Sequence, residues 1–320
     1  MKRPKKAGGR FVVTGGAGFI GSHTVELLVA AGASVLVVDD QSHACGEQPP
    51  AGVEVVTADC GSPEAASAIE RFQPDAVLHL ASKGGVQKAA RDPGAHVKAS
   101  LASTVGLFDA AVKAGARRVV TASSGGTIYG DAASLPARET SGPAPLSAYG
   151  AAKRAEEVYL ATFGRRFGIS TVAMRYGNVY GPRQDGTGEA GVVAITCNRL
   201  LNGDAPRVFG DGDQTRDFTY VGDVAAANVA ALFGTRSGEV NIGTARETRI
   251  NEIVERLVAE SSLSPTTEYL PAREFEVRRV CLEVTRARSW FGWTPRVHVG
   301  EGLPLTWSWF STRHRGSPND

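Results

Sequence analysis

The sequence predicts an α/β protein built on a doubly wound parallel sheet of about seven strands, with a smaller carboxy-terminal lobe. Short apolar runs without polar alternation, such as RFVVT and SVLVVD, alternate with longer helical patterns. Such runs are typical of parallel strands that helices cover on both faces. After Tyr176 the sequence changes to loops rich in Gly, Asp and Pro, which marks the second lobe. A chain of 320 residues is long enough to bury a full core in this arrangement.

The elements of the first lobe follow one another as strand, helix and strand. After RFVVT and SVLVVD, the predicted strands are VEVVTAD, DAVLHLA, RRVVTAS and ISTVAMRY, and GEVNIGT rejoins the sheet as a seventh. Long helices are predicted at about 93–114 and 147–167. We expect helices at about 222–233 and 250–260 to return to the first lobe. The predicted division is therefore 1–175 for the first lobe, with later elements near 222–243 returning to it, and 176–320 for mainly the second.

Composition and charge exclude several classes of protein. Hydrophobic residues make up 42% of the chain and charged residues 21%, which is typical of a globular protein. The net charge is +2 and much of it lies in the basic head MKRPKKAGGR, so neither nucleic acid nor a membrane surface is an expected partner. The four cysteines and six histidines form no metal-ligand spacing, and no metal is expected. Without a signal-type segment or a spanning apolar run, the prediction is a cytoplasmic protein.

A glycine-rich segment, VVTGGAGFIG, includes the first predicted strand and opens the first helix. Gly16, Gly18 and Gly21 satisfy GxGxxG, and Gly15, Gly18 and Gly21 satisfy GxxGxxG. In a Rossmann-type site such glycines make a tight turn, let the backbone approach a pyrophosphate and pack the helix on the strand. Asp39 ends the second strand, where a carboxylate can accept hydrogen bonds from the adenosine ribose hydroxyls. The same carboxylate would repel a 2'-phosphate, so NAD is the predicted cofactor rather than NADP.

A second pattern, SAYGAAK, places Tyr149 and Lys153 four residues apart on a predicted helix, hence on one face. It follows the Ser-Gly-rich segment TASSGGTIYG, at the carboxyl ends of the strands where ligands bind in such sheets. A free tyrosine, with a pKa of about 10, is too protonated to act as a base near neutral pH. A lysine ammonium beside it and a cationic nicotinamide ring both favour the phenolate. The pattern therefore predicts a Tyr149 base assisted by Lys153.

Four segments together, TGGAGFIG, the YxxxK pair, MRYGNVYGPRQ and FGDGDQTRDFTYVGDVA, resemble the extended short-chain dehydrogenases. Within that class the chain resembles the NAD-dependent nucleotide-sugar epimerases, closest to the UDP-glucose 4-epimerases, over nearly its whole length. The resemblance implies that Tyr149 takes the proton from the sugar 4-hydroxyl while a hydride passes from carbon 4 to tightly held NAD. The 4-keto sugar then turns over in the site and takes the hydride back on its other face.

The resemblance also implies contacts residue by residue. Lys153 would hold the nicotinamide ribose. Further cofactor contacts would come from Phe19, Ile20, Asp59, Cys60, Leu80, Ala81, Ser82, Ser100, Tyr149 and Tyr176. The nucleotide diphosphate would be held by Asn178, Arg216 and Arg273, since guanidinium forks suit phosphate oxygens. The uridine and its ribose would be surrounded by Val192, Val208, Phe209 and Glu276.

Two positions depart from the family's pattern. The family's catalytic serine or threonine lies four residues before the tyrosine of its VYG segment, and here that position is Gly125. Ser124 or Thr127 must then bond the sugar 4-oxygen. Ser124 is favoured because it ends a buried strand and the following glycines let the backbone turn its hydroxyl towards the sugar. The second departure is Ser100, which stands where the family has an asparagine that contacts the nicotinamide.

Several functions share these residues. UDP-glucose or UDP-galactose is the expected substrate, and UDP-glucuronate or a UDP-N-acetylhexosamine would reuse every residue named. Val280 stands where epimerases restricted to small hexoses often carry a bulky aromatic, which leaves a wider pocket open. A sugar 4,6-dehydratase would need adjacent Asp and Glu where this chain has Gly126 and Thr127. A non-catalytic NAD sensor would normally have lost Tyr149 or Lys153.

A homodimer is implied by the resemblance, formed through the helices at about 93–114 and 147–167. These helices carry more apolar side chains than the sheet alone should cover. The residues concerned are Leu101, Val105, Leu107, Phe108, Val158, Leu160 and Phe163.

Overall fold

The computed structural model describes residues 8–187, 191–273 and 276–316. Most of the basic head, residues 1–7, lies outside these ranges. The strands are β1 (Arg10–Thr14), β2 (Ser34–Asp39), β3 (Glu54–Thr57), β4 (Ala76–His79), β5 (Arg118–Ser124), β6 (Ser170–Tyr176), β7 (Asn178–Tyr180), β8 (Arg207–Phe209), β9 (Thr215–Arg216), β10 (Phe218–Tyr220), β11 (Gly238–Ile242), β12 (Thr248–Arg249) and β13 (Glu268–Leu270).

The helices are α1 (Phe19–Ala30), α2 (Pro63–Phe72), α3 (Val86–Arg91), α4 (Pro93–Lys113), α5 (Gly125–Ile128), α6 (Ala148–Phe167), α7 (Val192–Leu201), α8 (Val221–Phe233), α9 (Ile250–Ser261), α10 (Thr285–Phe291) and α11 (Val299–Gly316). None of the helices described is long and apolar enough to cross a membrane. The long helices at 93–114 and 147–167 are confirmed to within one residue at each end, as α4 and α6.

Seven parallel strands form the central sheet, in the order β11-β6-β5-β4-β1-β2-β3. The predicted fold class is confirmed, and so is the return of GEVNIGT as β11, which pairs with β6. The chain runs outward from β1 to β3 and then crosses back to β4 on the other side of β1. The carboxyl ends of β1 and β4 therefore border the crevice in which ligands bind in such sheets.

Two hydrophobic cores cover the two faces of this sheet. Alternate residues of one strand point to opposite faces, so Val13 belongs to the core under α1 and α8, and Val12 to the core under α2 and α4. The edge strand β3 departs from the prediction of strands buried on both faces. Its Glu54, Val55 and Thr57 are exposed and Val56 is half-buried, because only β2 flanks it.

The second lobe has a core of its own, in which α7, α9 and α11 pack together. Three short two-stranded ladders, β7 with β10, β8 with β13 and β9 with β12, border it. Helix α8 returns to the first lobe and packs against α1, as predicted. The same prediction for the helix at 250–260 is wrong. The apolar stripe of α9, with Ile253, Val254 and Leu257, faces α7 and α11, since a stripe indicates a buried face but not its partner.

Candidate active site

The glycine loop between β1 and α1 has room for backbone and little else. Gly15 has φ +70°, and a Cβ there would lie 2.7 Å from the backbone nitrogen of Ala81. A Cβ on Gly21 would lie 2.0 Å from the carbonyl oxygen of Gly15, so helix and strand could not pack with any side chain at this position. Helix α1 begins after Gly18, where no side chain of the described residues caps it. The first amides of α1 are thus available to a phosphate.

Asp39 closes the other side of this loop at the end of β2. Its Oδ2 accepts a hydrogen bond from the amide of Ala17 at 2.9 Å, and its Oδ1 accepts one from the amide of Gln41 at 2.8 Å. A carboxylate has about four lone-pair positions, so two remain for ribose hydroxyls. The carboxylate is thus oriented by backbone before any ligand binds, and it fits an adenosine ribose without a 2'-phosphate.

A cationic bridge connects the ends of β2, β3 and β4. Lys83, in the loop after β4, places its Nζ 2.5 Å from Asp40 Oδ2 and 2.6 Å from Asp59 Oδ2. Burial has the largest single effect and raises the pKa of both carboxyls, but the hydrogen bonds and charge of Lys83, together with hydrogen bonds from neighbouring groups, hold each pKa below its usual value. Asp59 is therefore held at the edge of the site by its ion pair with Lys83.

Helix α6 carries the predicted catalytic pair in its first two turns. The Oγ of Ser147 accepts a hydrogen bond from the amide of Gly150 at 3.1 Å and caps the helix. A Cβ on Gly150 would lie 2.8 Å from the carbonyl oxygen of Thr127, so the helix start packs directly on α5. The Nζ of Lys153 lies 6.0 Å from the centroid of the Tyr149 ring. The structure thus brings both side chains to one place.

The pKa of Tyr149 shows the competition between burial and charge. Burial raises it, the ammonium of Lys153 lowers it, and the net direction without a bound ligand is upward. Burial lowers the pKa of Lys153, but the carboxylate of Glu156 and the neighbouring Tyr149 together raise it above its usual value. Buried His79 beside them has its pKa lowered to about 3, chiefly by burial and then by Lys153, so it remains neutral. Tyr149 therefore needs a further positive charge to ionise near neutral pH.

The loop after β5 explains the missing family serine. A Cβ on Gly125 would lie 2.6 Å from Leu282 Cδ1, so any side chain at this position would displace Leu282. Ser124 is half-buried, and its Oγ lies 3.9 Å from where a Cβ on Gly126 would be. Thr127 Oγ1 is buried and has no hydrogen-bond partner among the described residues. Neither Ser124 nor Thr127 is among the residues that line the cofactor cavity, and the choice between their hydroxyls stays a prediction.

One cavity of about 1060 Å³ joins these features. The predicted cofactor residues line it with the exception of Asp59. They are Gly15, Gly18, Phe19, Ile20, Gly21, Asp39, Cys60, Leu80, Ala81, Ser82, Ser100, Tyr149, Lys153 and Tyr176. This volume is at the upper end of the usual range for ligand pockets, about 300–1,000 Å³, and suits a ligand as large as a dinucleotide. The glycine loop, the carboxylate of Asp39 and the lysine at the far end are therefore placed along a single space that NAD fits.

The predicted diphosphate residues gather in a second cluster. Asn178 donates its backbone N–H to the carbonyl oxygen of Asp217 at 2.7 Å, which puts it beside Arg216. Arg216 is 9% exposed and its Nη2 lies 2.6 Å from Glu276 Oε1. Burial and the positive charge of Arg273 lower the pKa of Arg216, and Glu276 opposes them. Two arginines close enough to repel each other are suited to a doubly charged anion between them.

The residues predicted around the uridine divide between this cluster and the lobe core. The guanidinium carbon of Arg273 lies 3.9 Å from the centroid of the Phe209 ring, a cation–π contact that leaves the fork free at its edge. Val208, which precedes Phe209 in β8, is buried in the core of the second lobe. Val192 begins α7 and packs half-buried against the same core.

Several cavity residues were missed by the sequence analysis. Arg183 lines the cavity with φ +71°, and its Nη2 lies 2.6 Å from Glu26 Oε1. The GPRQ segment could have indicated it, because a cation beside a glycine loop suits a pyrophosphate. The last turns of α11 also line the cavity, through Trp309, Phe310, Arg313 and His314. No local pattern indicated these, since contact between the chain's end and the first lobe is decided by packing.

This cavity, with a tyrosine and a lysine one helical turn apart at one end, defines an extended short-chain dehydrogenase. The chain belongs to the NAD dependent epimerase/dehydratase family, whose sequence profile matches residues 11–243. It is 37% identical to a UDP-glucose 4-epimerase of Mycolicibacterium smegmatis over 95% of this chain and 99% of that protein. NAD is the cofactor, as predicted.

Solved structures agree with this assignment. A UDP-glucose 4-epimerase of Thermotoga maritima with UDP-glucose has a TM-score of 0.90 and 38% identity, covering 95% of this chain and 99% of its own. A UDP-glucose 4-epimerase of Thermus thermophilus in complex with NAD has a TM-score of 0.89 and 38% identity, covering 97% and 100%. A UDP-N-acetylglucosamine 4-epimerase of Methanobrevibacter ruminantium has a TM-score of 0.88 at 28% identity, covering 95% and 99%.

Proposed function

We propose that the protein is an NAD-dependent 4-epimerase of a UDP-sugar, with UDP-glucose and UDP-galactose as its substrate pair. The observation that carries the proposal is the placement of Tyr149 and Lys153 at the end of the cavity that begins at the glycine loop. A tyrosine in this position can exchange a proton with a sugar hydroxyl beside the cofactor. Relatives at 37% and 38% identity that are named as UDP-glucose 4-epimerases support the choice of sugar.

Each residue of the candidate site would have a separate role in the reaction. NAD, when bound, supplies a hydride acceptor that can return the hydride to the same carbon. Tyr149 takes the proton of the sugar 4-hydroxyl and gives it back, because its phenol lies in a buried site beside one ammonium. Lys153 holds the nicotinamide ribose and favours the phenolate. Ser124 or Thr127 fixes the 4-oxygen within hydrogen-bond distance, about 2.6 to 3.2 Å.

The arginine cluster would hold the nucleotide. Arg216 and Arg273 would both donate to the diphosphate, since their guanidinium groups are close enough to influence each other, and Asn178 lies beside Arg216. Glu276 would exchange its ion pair with Arg216 for the ribose hydroxyls of the nucleotide. The nucleotide diphosphate would then anchor the substrate, which allows a 4-keto sugar to turn over without leaving the site.

UDP-glucuronate and UDP-N-acetylhexosamines are the alternative substrates. The chain is 28% identical to a UDP-glucuronate 4-epimerase of Thermodesulfobacterium geofontis over 94% of this chain and 96% of that protein. Val280, the position that suggests a wider pocket, is buried and donates its backbone N–H to the carbonyl oxygen of Thr215, next to Arg216. A small side chain there keeps the alternatives compatible with the site.

The test is to incubate the purified enzyme separately with UDP-glucose, UDP-glucuronate and UDP-N-acetylglucosamine and to follow the 4-epimers by NMR. We expect UDP-galactose from the first, without added oxidant and without stoichiometric NADH. Epimerisation of only the second or third would transfer the assignment to that sugar. Accumulating NADH would indicate a net dehydrogenase, and loss of water from the sugar would indicate a 4,6-dehydratase. Binding of NAD without any turnover would indicate a sensor.

We also propose a homodimer formed through α4 and α6. Part of the sequence argument for it is wrong, because Leu107, Phe108 and Leu160 are buried within the subunit. Other apolar side chains on these helices remain exposed, with Val97 at 42% and Val158 at 50%. Light scattering at micromolar concentration should give twice the mass of the 33.5 kDa chain, and a monomer mass would contradict the proposal.

A further inference from the structure

The ammonium of Lys153 has a buried anionic partner that the mechanism above does not use. Its Nζ donates a hydrogen bond to Glu156 Oε2 at 2.9 Å, and the two side chains are 5% and 1% exposed. Glu156 lies three residues after Lys153 on α6, hence on the same face of the helix. A buried charge is tolerated only when it is paired and hydrogen-bonded, so the two groups depend on each other.

A second helix fixes this carboxylate. Glu156 Oε1 accepts a hydrogen bond from Ser100 Oγ on α4 at 3.2 Å. Ser100 lines the cofactor cavity and stands where the family has an asparagine. The short serine side chain leaves space in which a glutamate from α6 can reach α4. Ser100, which replaces the family's asparagine, and Glu156 are therefore joined in one hydrogen-bonded chain that ends at Lys153.

The next residue shows what a purely structural carboxylate looks like on the same helix. Glu157 receives two hydrogen bonds from Arg175, at 2.8 and 2.7 Å, one from Ser123 at 2.7 Å and one from Arg154 at 2.9 Å. Its charge is matched by arginines that line no part of the cofactor cavity. Among the described residues, Lys153 is the only charged partner of Glu156. The negative charge of Glu156 therefore acts on the catalytic lysine and, through it, on Tyr149.

We propose that Glu156 is a positioning residue that anchors the Lys153 ammonium and offsets part of its charge, keeping Tyr149 able both to take and to return a proton. The return step rests on the proposed epimerase function. Lys153 and a cationic nicotinamide together would make Tyr149 so acidic that its phenolate is a weak base. One negative charge held beside Lys153 opposes this. Burial is the main cause of the raised pKa of Tyr149, and the charge of Glu156 acts in the same direction.

Other titratable groups near the pair are His79, Cys60 and His96. His79 at the end of β4 remains neutral because burial lowers its pKa to about 3, and Cys60 after β3 remains protonated because burial raises its pKa to about 12. His96 on α4 is different, since its ring lies 6.1 Å from that of Tyr149 between centroids. A test must therefore separate Glu156 from His96.

The experiment is a titration of Tyr149 in the NAD-loaded protein, followed by the ultraviolet absorbance of tyrosinate as a difference from the Tyr149→Phe variant. Removing the negative charge stabilises the phenolate, so Glu156→Gln should lower the midpoint by on the order of one pH unit. Glu252→Gln is the matched control, because Glu252 forms an exposed ion pair with Arg256 on α9 and its loss changes the net charge equally. Its midpoint should not move.

The same titration in a His96→Gln background should show the same difference. If Glu156→Gln does not fold, Glu156→Asp replaces it, since the shorter carboxylate keeps the charge and should lower the midpoint by a smaller amount. An unmoved midpoint in a folded, NAD-loaded Gln or Asp variant overturns the proposal. The acidic limb of the kcat profile should shift in the same direction. If no UDP-sugar turns over, the proposed function fails while the titration still decides the role of Glu156.

Discussion

The cofactor half and the substrate lobe differ in how their functional residues are held. In the first, the glycine loop, Asp39 and the residues after β3 and β4 follow strands of one seven-stranded sheet and line one cavity. In the second, Arg216 lies in a two-residue strand, and Arg273 follows β13 in a loop. In the cofactor half the carboxylate of Asp39 is thus held by backbone amides, whereas in the substrate lobe Arg216 is held by a side-chain ion pair.

The difference indicates where adaptation to a ligand is to be expected. Asp39 is fixed by two backbone amides and keeps lone pairs for a ribose. Arg216 is held by an ion pair with Glu276, with which a bound phosphate would compete. Mutations in the two regions should therefore separate loss of chemistry from loss of substrate affinity.

The largest expected effect is that of Tyr149→Phe, which removes the proton-transfer group and leaves the ring. Turnover of the preferred UDP-sugar, measured by NMR, should fall by about 10³-fold, within the usual range for general acid–base catalysis. NAD affinity measured by calorimetry should stay within a few-fold, because the cavity walls are unchanged. Turnover near the wild-type rate would exclude Tyr149 as the base.

The next effect distinguishes the two hydroxyls of the loop after β5. We expect Ser124→Ala to lower turnover by on the order of 10² and Thr127→Ala to have a smaller effect, because only one hydroxyl fixes the sugar 4-oxygen. Comparison of kcat for the two variants measures this. If Thr127→Ala loses turnover while Ser124→Ala keeps it, the assignment passes to the buried Thr127 Oγ1 and the role of Tyr149 stands.

In the substrate lobe, Arg273→Gln should weaken UDP binding by about tenfold or more, since a charged hydrogen bond contributes roughly 1.5 to 3 kcal/mol. Arg256→Gln is the control, because Arg256 forms an exposed pair with Glu252 on α9 and should change UDP affinity little. Calorimetry with UDP measures both. Equal losses in the two variants would mean that net charge, and not a placed guanidinium, attracts the nucleotide.

The smallest expected effect concerns the choice of cofactor. The wild-type protein freed of nucleotide should bind NAD at least about tenfold more tightly than NADP, because the carboxylate of Asp39 repels a 2'-phosphate. Calorimetry with each dinucleotide measures the ratio. Equal affinities would show that the orientation of Asp39 by the amides of Ala17 and Gln41 does not exclude the phosphate.

Much of the cofactor half could be predicted because its signals are local. A glycine pattern between an apolar strand and a helix fixes the turn, and the parallel strands bring distant residues such as Leu80 and Asp39 to one edge. The Lys83 bridge was missed because it joins three strand ends through one flexible side chain. The partner of α9 was predicted wrongly, since an apolar stripe shows that a helix face is buried but not which element covers it.

The sequence by itself determined the sheet, the class of cofactor and the helical face that carries Tyr149 and Lys153, because periodicity and glycine spacing act over a few residues. Only the tertiary structure decided that Leu282 lies against Gly125, where a side chain would displace it, and that Glu156 reaches both Lys153 and Ser100. Those contacts join residues from different elements, and their energies depend on distances of a few ångströms that chain order does not encode.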